Sequence, residues 1–183
     1  MKMKKYFVIT LLTILIIGCA NKNNLNQSSN PQTSEVSEMK LTSAAFVHNG
    51  SIPSEFTCDG DGLSPPLSIR EVSASAKSLV LISDDPDAPV GNWDHWVVFN
   101  IPPSAKEISK GAEPDGTPGK NSWSKTGYGG PCPPSGTHRY FFKLYALDTL
   151  LDIPAGSNKK QIESAMQNHT IAKAELIGLY KRK

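Results

Sequence analysis

The sequence predicts a mainly β fold, and three observations favour it. Three runs of β-branched, aromatic and aliphatic residues are typical of strands: 78–83 (SLVLIS), 96–101 (WVVFNI) and 139–147 (RYFFKLYAL). Clusters of Gly, Pro, Asp and Asn separate such runs along most of the chain, as turns do. Only the segment 157–169 has clear helical periodicity. At 183 residues the chain has the length of one domain with a sizeable core.

Residues 1–18 have the features of a lipoprotein signal peptide. Three lysines within residues 1–5 precede an apolar run, 6–17, that is too short to span a bilayer comfortably. The motif at 16–19 (IIGC) resembles a bacterial lipobox, although that motif prefers Leu at its first position. We expect cleavage before Cys19 and attachment of fatty-acid chains such as palmitate to it. A cleaved signal followed by an incidental cysteine is the alternative.

Residues 19–38 are predicted to be a flexible tether, and residues 39–183 the folded domain. The tether is rich in Asn, Ser and Gln and has too few large apolar side chains to offset the cost of ordering. Cleavage would remove three lysines and no acid, which leaves 16 basic and 17 acidic residues and a net charge of −1. No basic stripe remains, so nucleic acid is not an expected partner. We expect a lipid-anchored, extracytoplasmic protein of the bacterial cell envelope.

In the first half of the domain, short strands are predicted at 41–46 and 66–70, before the buried strand 78–83. The stretch 84–102 (DDPDAPVGNWDHWVVFNIP) follows. Its prolines at 86 and 89 fix φ and bias the preceding residues toward extended or turn backbone. One stiff loop therefore presents several acidic, aromatic and imidazole side chains, and an ordinary structural turn is the alternative.

In the second half, residues 104–126 are predicted to be a long loop without regular structure. The stretch 127–148 (GYGGPCPPSGTHRYFFKLYALD) leads through His138 into a strand that we expect to be buried on both faces. A helix is predicted over 157–169, with Ser157 as its N-cap and His169 on its apolar edge. Residues 172–180 are predicted to be the last strand.

Cys58 and Cys132 both lie in loop-like contexts. A disulfide between them is permitted outside the cytosol, but the spacing alone does not show that the two residues meet. The bridge therefore remains one of two alternatives, and neither cysteine has the neighbouring cysteine expected of a zinc site.

Together these motifs resemble the phosphatidylethanolamine-binding protein family, also called Raf kinase inhibitor-like proteins, and especially its bacterial branch. The resemblance runs from about Leu41 to Tyr180. Its most specific parts are DPDAP at 85–89, WDHW at 93–96 with the following strand, and the stretch 127–148. It implies a large antiparallel sheet packed on a smaller sheet, with one or two short helices.

The resemblance also implies a small anion pocket for phosphate or phosphorylated head groups. Two departures from animal members stand out: Asp94 replaces a histidine beside the pocket histidine, and the bacterial branch often lacks the C-terminal helix that gates the pocket. Matched motif by motif, the pocket residues are Asp85, Asp87, Pro89, Trp93, His95, Gly130, Pro131, His138 and Tyr140.

We expect the two histidines and the tyrosine hydroxyl to donate to the phosphoryl group. We expect the two acids to accept from the imidazole N–H groups or from loop amides, and so to hold the imidazoles in place. Binding should then weaken as pH rises and the imidazoles lose their protons.

The leading prediction is a membrane-anchored binding module without a cofactor, and by resemblance a kinase-inhibitor-like modulator of a partner. The alternative is a hydrolase that uses the same cluster with a metal or as acid and base. Inhibition of a protease rests on fold analogy alone.

Overall fold

The computed structural model describes residues 38–182. The predicted signal peptide, Cys19 and the tether up to residue 37 lie outside the described residues, so the structure adds nothing on them. None of the described helices is long and apolar enough to cross a membrane.

Six strands form the larger sheet. They are β2 (Gly50–Ser51), β4 (Ser78–Asp85), β5 (Trp93–Ile101), β7 (Thr117–Pro118), β8 (His138–Leu147) and β9 (Thr170–Tyr180). Their order across the sheet is β2-β9-β8-β4-β5-β7. All neighbours are antiparallel except β2, which pairs in parallel with the end of β9.

The smaller sheet has three strands. They are β1 (Lys40–Thr42), β3 (Leu67–Arg70) and β6 (Glu107–Ile108), in the order β1-β3-β6. Apolar side chains of both sheets form one continuous core, in which Leu41 and Ile69 of the smaller sheet meet Leu81 and Phe142 of the larger one. The predicted fold, a large antiparallel sheet packed on a smaller one, is confirmed.

β4 is the strand that is buried on both faces, because all eight of its residues are inaccessible to solvent. For β8 that prediction was wrong. Its burial alternates, with Tyr140 and Phe142 inside while Arg139 is exposed and Lys143 is half-buried on the outer face. Phe141 is half-buried there between these two cations, which lie 5.6 and 5.2 Å from its ring centroid.

One helix, α1 (Lys159–Ala165), covers part of the outer face of the larger sheet. Ile162 and the following Met166 pack there against a second core that includes Val80 and Val97. A 3₁₀ turn at Ser54–Phe56 is the other short helical element.

The predicted ends of α1 were wrong. Asn158 is the N-cap rather than Ser157, because Asn158 and Gln161 form a reciprocal capping box. The Ser157 hydroxyl donates instead to the carbonyl of Pro154. His169 lies beyond the end of the helix and pairs with Asp148 at the surface.

The predicted loop 104–126 also contains regular structure, since β6 and β7 fall within it. Each of these strands has only two residues, too few to show a hydrophobic period in the sequence. The first predicted strand, 41–46, is shorter in the structure and ends at Thr42.

Candidate ligand-binding site

A cavity of about 260 Å³ lies where β4 ends, β5 begins and β8 begins. Two proline-containing loops close its sides. Its lining residues are Asp85, Ala88, Pro89, Val90, Trp93, His95, Trp123, Cys132, Pro133, Pro134, His138 and Tyr140. The structure thus brings the two predicted histidines to the wall of one small cavity, although they are 43 residues apart in the chain.

A β-bulge in β5 places His95 in this wall. Ser83 of β4 pairs with Trp96 and the next residue, Asp84, pairs with Asp94, so His95 is an extra residue without a partner in the register. The bulge lets His95 line the cavity while the adjacent Trp96 enters the core between the sheets. Without it, strict alternation would direct one of these two rings to the opposite face.

The orientation of the His95 ring is fixed by the backbone rather than by a carboxylate. Its Nδ1 donates to the carbonyl oxygen of Gly129 at 2.7 Å, and Nε2 has no hydrogen-bond partner among residues 38–182. Burial lowers the pKa of His95 below its usual value, against the opposing effect of the Gly129 carbonyl and nearby carboxylates. A neutral ring with its proton on Nδ1 offers Nε2 to a ligand as an acceptor. The prediction that the acids orient both imidazoles was therefore wrong for His95.

His138 is oriented by Asp85, one of the two acids expected to hold the imidazoles. The Nδ1 of His138 donates to Asp85 Oδ2 at 2.8 Å, and both side chains are almost fully buried. The other carboxylate oxygen of Asp85 accepts from the backbone N–H of Asp87 at 2.8 Å. Both carboxylate oxygens are thereby engaged, and the Nε2 of His138 is left for a ligand.

Tyr140 completes the polar part of the cavity. Its ring packs between His95 and His138, with centroids 5.2 and 6.5 Å away. The hydroxyl is buried and makes no hydrogen bond of normal geometry within the described part of the chain. Burial raises the pKa of Tyr140, and the nearby Asp85 raises it further, so the hydroxyl keeps its proton. A buried donor without a partner is costly, and a ligand that accepts from it removes that cost.

Aromatic rings and a disulfide form the rest of the wall. Trp123 meets Trp93 edge to face at 5.4 Å and His95 at 5.1 Å. The Trp123 ring fits because Gly129 has no side chain: a Cβ there would lie 2.4 Å from the indole. Cys132 is bonded to Cys58, with their Cα atoms 5.4 Å apart, which ties the second loop to the turn after Phe56.

Three of the nine predicted residues do not line the cavity. Asp87 binds the Arg139 guanidinium and backbone N–H at the surface, and the Arg139 hydrogen bonds lower the pKa of Asp87 to about 2. Gly130 packs against the backbone of Phe56 and Thr57, which a Cβ would approach to 3.0 Å. The buried Pro131 accepts from the Cys58 N–H through its carbonyl.

The nine predicted residues leave out half of the lining. Ala88 and Val90 alternate with predicted residues in the first loop, and Pro133 and Pro134 flank the bridged cysteine in the second. Trp123 had one usable signal, a large aromatic side chain in a segment otherwise rich in Gly, Pro and polar residues. It remains 43% exposed.

The charges of the cavity are unusual for an anion site. Its lining includes the Asp85 carboxylate but no lysine or arginine. Lys143 and Lys159 bind Asp84 on the opposite face of the sheet, and Arg139 binds Asp87 at the surface. No three His, Cys, Asp or Glu side chains of residues 38–182 are grouped so that they could hold a metal ion.

Comparison with known proteins identifies the family. The model of the family described as phosphatidylethanolamine-binding protein matches residues 42–181. The chain belongs to this family. Among curated relatives, a UPF0098 protein of Methanothermobacter thermautotrophicus is 53% identical over 150 residues, which are 79% of this chain and 99% of the relative. A UPF0098 protein of Chlamydia trachomatis is 45% identical over 149 residues, which are 79% of this chain and 99% of the relative.

Solved structures agree with this family assignment. A crystal structure of a proposed phosphatidylethanolamine-binding-protein homologue from Chlamydia trachomatis superposes with a TM-score of 0.78 at 44% identity, covering 80% of this chain and 99% of the other. YbcL of E. coli, described as a new member of the mammalian family, superposes with a TM-score of 0.73 at 31% identity. That match covers 80% of this chain and all of YbcL.

Proposed function

We propose that this domain is a binding module whose cavity takes a small phosphoryl group, either as phosphate or at the end of a phosphorylated head group. The observation that carries the proposal is the convergence of three unpaired polar atoms on one small cavity: Tyr140 Oη, His138 Nε2 and His95 Nε2. Ligand sites typically combine mostly apolar walls with a few such groups.

The family supports the same ligand class. Its printed name refers to phosphatidylethanolamine, whose head group contains a phosphoryl group. The aromatic rings of Trp93 and Trp123 line the same cavity, so they are available to the organic part of a ligand. A phosphoryl group held by the polar atoms would leave its substituent against these rings.

The test is calorimetric titration of residues 39–183 with phenyl phosphate at pH 6. We expect saturable binding that Tyr140→Phe and His138→Ala each weaken by about tenfold, the usual cost of one hydrogen bond to a charged ligand. His169→Ala is the matched control, because His169 also pairs with an aspartate but lies at the surface, away from the cavity. Unchanged affinity in both cavity variants would contradict the proposal.

The proposal includes a lipid anchor at Cys19, which would hold the domain on the extracytoplasmic side of a bacterial membrane. Support comes from the sequence motif at 16–19 alone. Two or three acyl chains are enough for stable attachment. Metabolic labelling with a fatty-acid analogue should mark the wild-type protein and leave Cys19→Ala unlabelled; equal labelling of the two would remove the anchor from the proposal.

Acid/base hydrolysis is the second candidate function, and the hydrogen bond between Asp85 and His138 is what favours it. A carboxylate that fixes one imidazole nitrogen leaves the other free to move a proton. Turnover of p-nitrophenyl phosphate that disappears in His138→Ala would favour the enzyme over the binding module.

Modulation of a partner protein, as in kinase-inhibitor-like relatives, rests on family membership, and a pull-down with the ligand-loaded domain would test it.

A further inference from the structure

The cavity has more hydrogen-bond acceptors than a fully ionised phosphate can satisfy. Asp85 is an acceptor when ionised, and the His95 ring, with its proton committed to Gly129, presents Nε2 as an acceptor. The Tyr140 hydroxyl is a donor, and His138 Nε2 donates only when that ring is protonated. A phosphoryl dianion offers only acceptors, so it would leave His95 Nε2 facing an oxygen lone pair.

The charges around His95 also disfavour a ligand with two negative charges. Asp85 and Asp84 at the end of β4 and Asp94 on β5 all act on this ring. On β8 the groups that face it are Tyr140, a phenol, and His138, which is bonded to Asp85. The neighbouring loop contributes the Gly129 carbonyl and no charged group to the lining. A second negative charge on a ligand would therefore meet carboxylates without a lysine or arginine in the cavity to balance it.

We infer that the cavity selects phosphate monoesters in their singly protonated, monoanionic form, with the P–OH proton donated to the His95 or Asp85 side of the cavity. The inference rests on the proposed function, and it adds the ligand's protonation state and chemical class. His95 is then a specificity-determining residue: it recognises the proton that distinguishes a phosphate monoester from a sulfate ester or a phosphodiester.

Three consequences follow for affinity. The second pKa of a phosphate monoester is near 6, so the monoanion becomes scarcer above that pH and apparent affinity falls by up to about tenfold per pH unit. Phenyl sulfate has one negative charge but no ionisable proton, and it should bind at least about tenfold more weakly than phenyl phosphate at pH 6. Glycerophosphoethanolamine, a diester, should likewise bind more weakly than phosphoethanolamine, which distinguishes a lipid-derived diester from a free monoester.

The most direct experiment is a ³¹P NMR pH titration of phenyl phosphate, free and bound to the wild-type domain. We expect the bound phosphorus to titrate at a pH at least one unit higher than the free ligand, because one unit corresponds to tenfold tighter binding of the monoanion than of the dianion. The titration reports where the ligand proton is held. An affinity profile alone does not, because a dianion bound to a protonated histidine contains the same number of protons.

Two variants assign the effect to residues. His95→Asn keeps an N–H that can reach the Gly129 carbonyl and removes the acceptor at Nε2, so it should lower affinity for phenyl phosphate about tenfold more than it lowers affinity for phenyl sulfate. Asp85→Asn removes the negative charge, so the pKa of the bound phosphoryl group should return toward that of the free ligand. In His138→Ala the raised pKa of the bound ligand should persist, since the proton does not belong to His138.

The outcomes separate this inference from the proposed function. Saturable binding with a raised pKa of the bound ligand supports both. Binding with the phosphorus titrating at or below the pH of the free ligand, or equal affinity for phenyl sulfate, would overturn the inference and leave the binding module standing. Failure of the wild-type domain to bind any of these ligands would overturn both, whatever the variants do.

Discussion

Asp84 and Asp85 are adjacent buried aspartates at the end of β4, and they have opposite environments. Asp84 faces α1 and binds Lys143 at 2.8 Å, Lys159 at 2.6 Å and the Asn92 amide at 3.0 Å. Burial alone would raise the pKa of Asp84, but the hydrogen bonds from the two lysines outweigh it and the net shift is downward. Asp85, on the cavity side, accepts from an imidazole and a turn N–H, lies near the Tyr140 hydroxyl, and pairs with no lysine or arginine of residues 38–182.

The difference indicates that Asp84 stabilises the structure, whereas its neighbour Asp85 acts in the candidate site. The Asp84 charge is compensated by two cations and joins β4, β8 and the first residue of α1. Lys159 also binds Asp94 at 3.0 Å, which adds β5 to the same network. No lysine or arginine in the described part of the chain pairs with Asp85, so the field of its charge acts on whatever enters the cavity. Partner charge, rather than burial, distinguishes the structural acid from the acid of the site.

The largest expected effect comes from breaking the Asp84 network. Asp84→Asn should lower the free energy of unfolding by about 3 kcal/mol, because it leaves the largely buried Lys143 without an anion and leaves Lys159 paired with Asp94 alone. The matched change Asp85→Asn should cost only about 1 to 2 kcal/mol, since it weakens hydrogen bonds without stranding a fixed cation. Urea denaturation of both variants provides the comparison, and equal costs would contradict the division between the two acids.

The disulfide provides a second comparison, because it stabilises the loops on the cavity side, whereas the Asp84 ion pairs stabilise the opposite face of the sheet. Cys58→Ser combined with Cys132→Ser opens a loop of 74 residues and should cost about 2 to 4 kcal/mol of unfolding free energy. Because Cys132 lines the cavity, phosphate affinity should fall as well, whereas Asp84→Asn should leave affinity unchanged at temperatures where it is folded. Calorimetric titration of both proteins would show whether this contrast holds.

The pH dependence of stability should also reflect the cavity side of the sheet, through His95. The folded pKa of His95 is lowered, so the unfolded chain binds a proton at a higher pH than the folded protein. This contribution to stability is complete above about pH 6.5 and is lost as pH falls through the unfolded pKa toward the folded one, with a slope of at most about 1.4 kcal/mol per pH unit. Urea midpoints between pH 7.5 and 5 should fall less steeply in His95→Asn than in wild type.

The smallest expected effect is at the helix that delivers Lys159 to Asp84. Asn158→Ala removes the N-cap and should cost about 1 kcal/mol. Ser157→Ala, one residue earlier, should cost less because the Ser157 hydroxyl bonds only the Pro154 carbonyl. A larger loss for Ser157→Ala would mean that the capping box is not what starts α1.

The sequence alone was sufficient for features that depend on near neighbours. Runs of β-branched, aromatic and aliphatic residues between turn residues placed β4, β5, β8 and β9 to within a few residues, and the shared motifs indicated the correct family. The helix start was missed by one residue because Ser and Asn are both good caps, and the choice depended on which of them has Gln three residues later.

Features that depend on distant pairings were not predictable in the same way. The bulge at His95 exists only in the register between β4 and β5. Asp87 binds Arg139, 52 residues away, a pairing that competes with the role predicted for it in the cavity. The tautomer of His95 depends on the Gly129 carbonyl, which the second loop brings to the ring. In each case the local sequence supplied the residue type, and the tertiary structure supplied its partner.

A crystal of the domain soaked in phosphate near pH 5.5 tests the central claim most directly. We predict phosphate in the cavity, with one oxygen within hydrogen-bond distance of Tyr140 Oη and others near the Nε2 atoms of His138 and His95. Phosphate bound only at surface lysines, with the cavity empty at saturating concentration, would contradict the account.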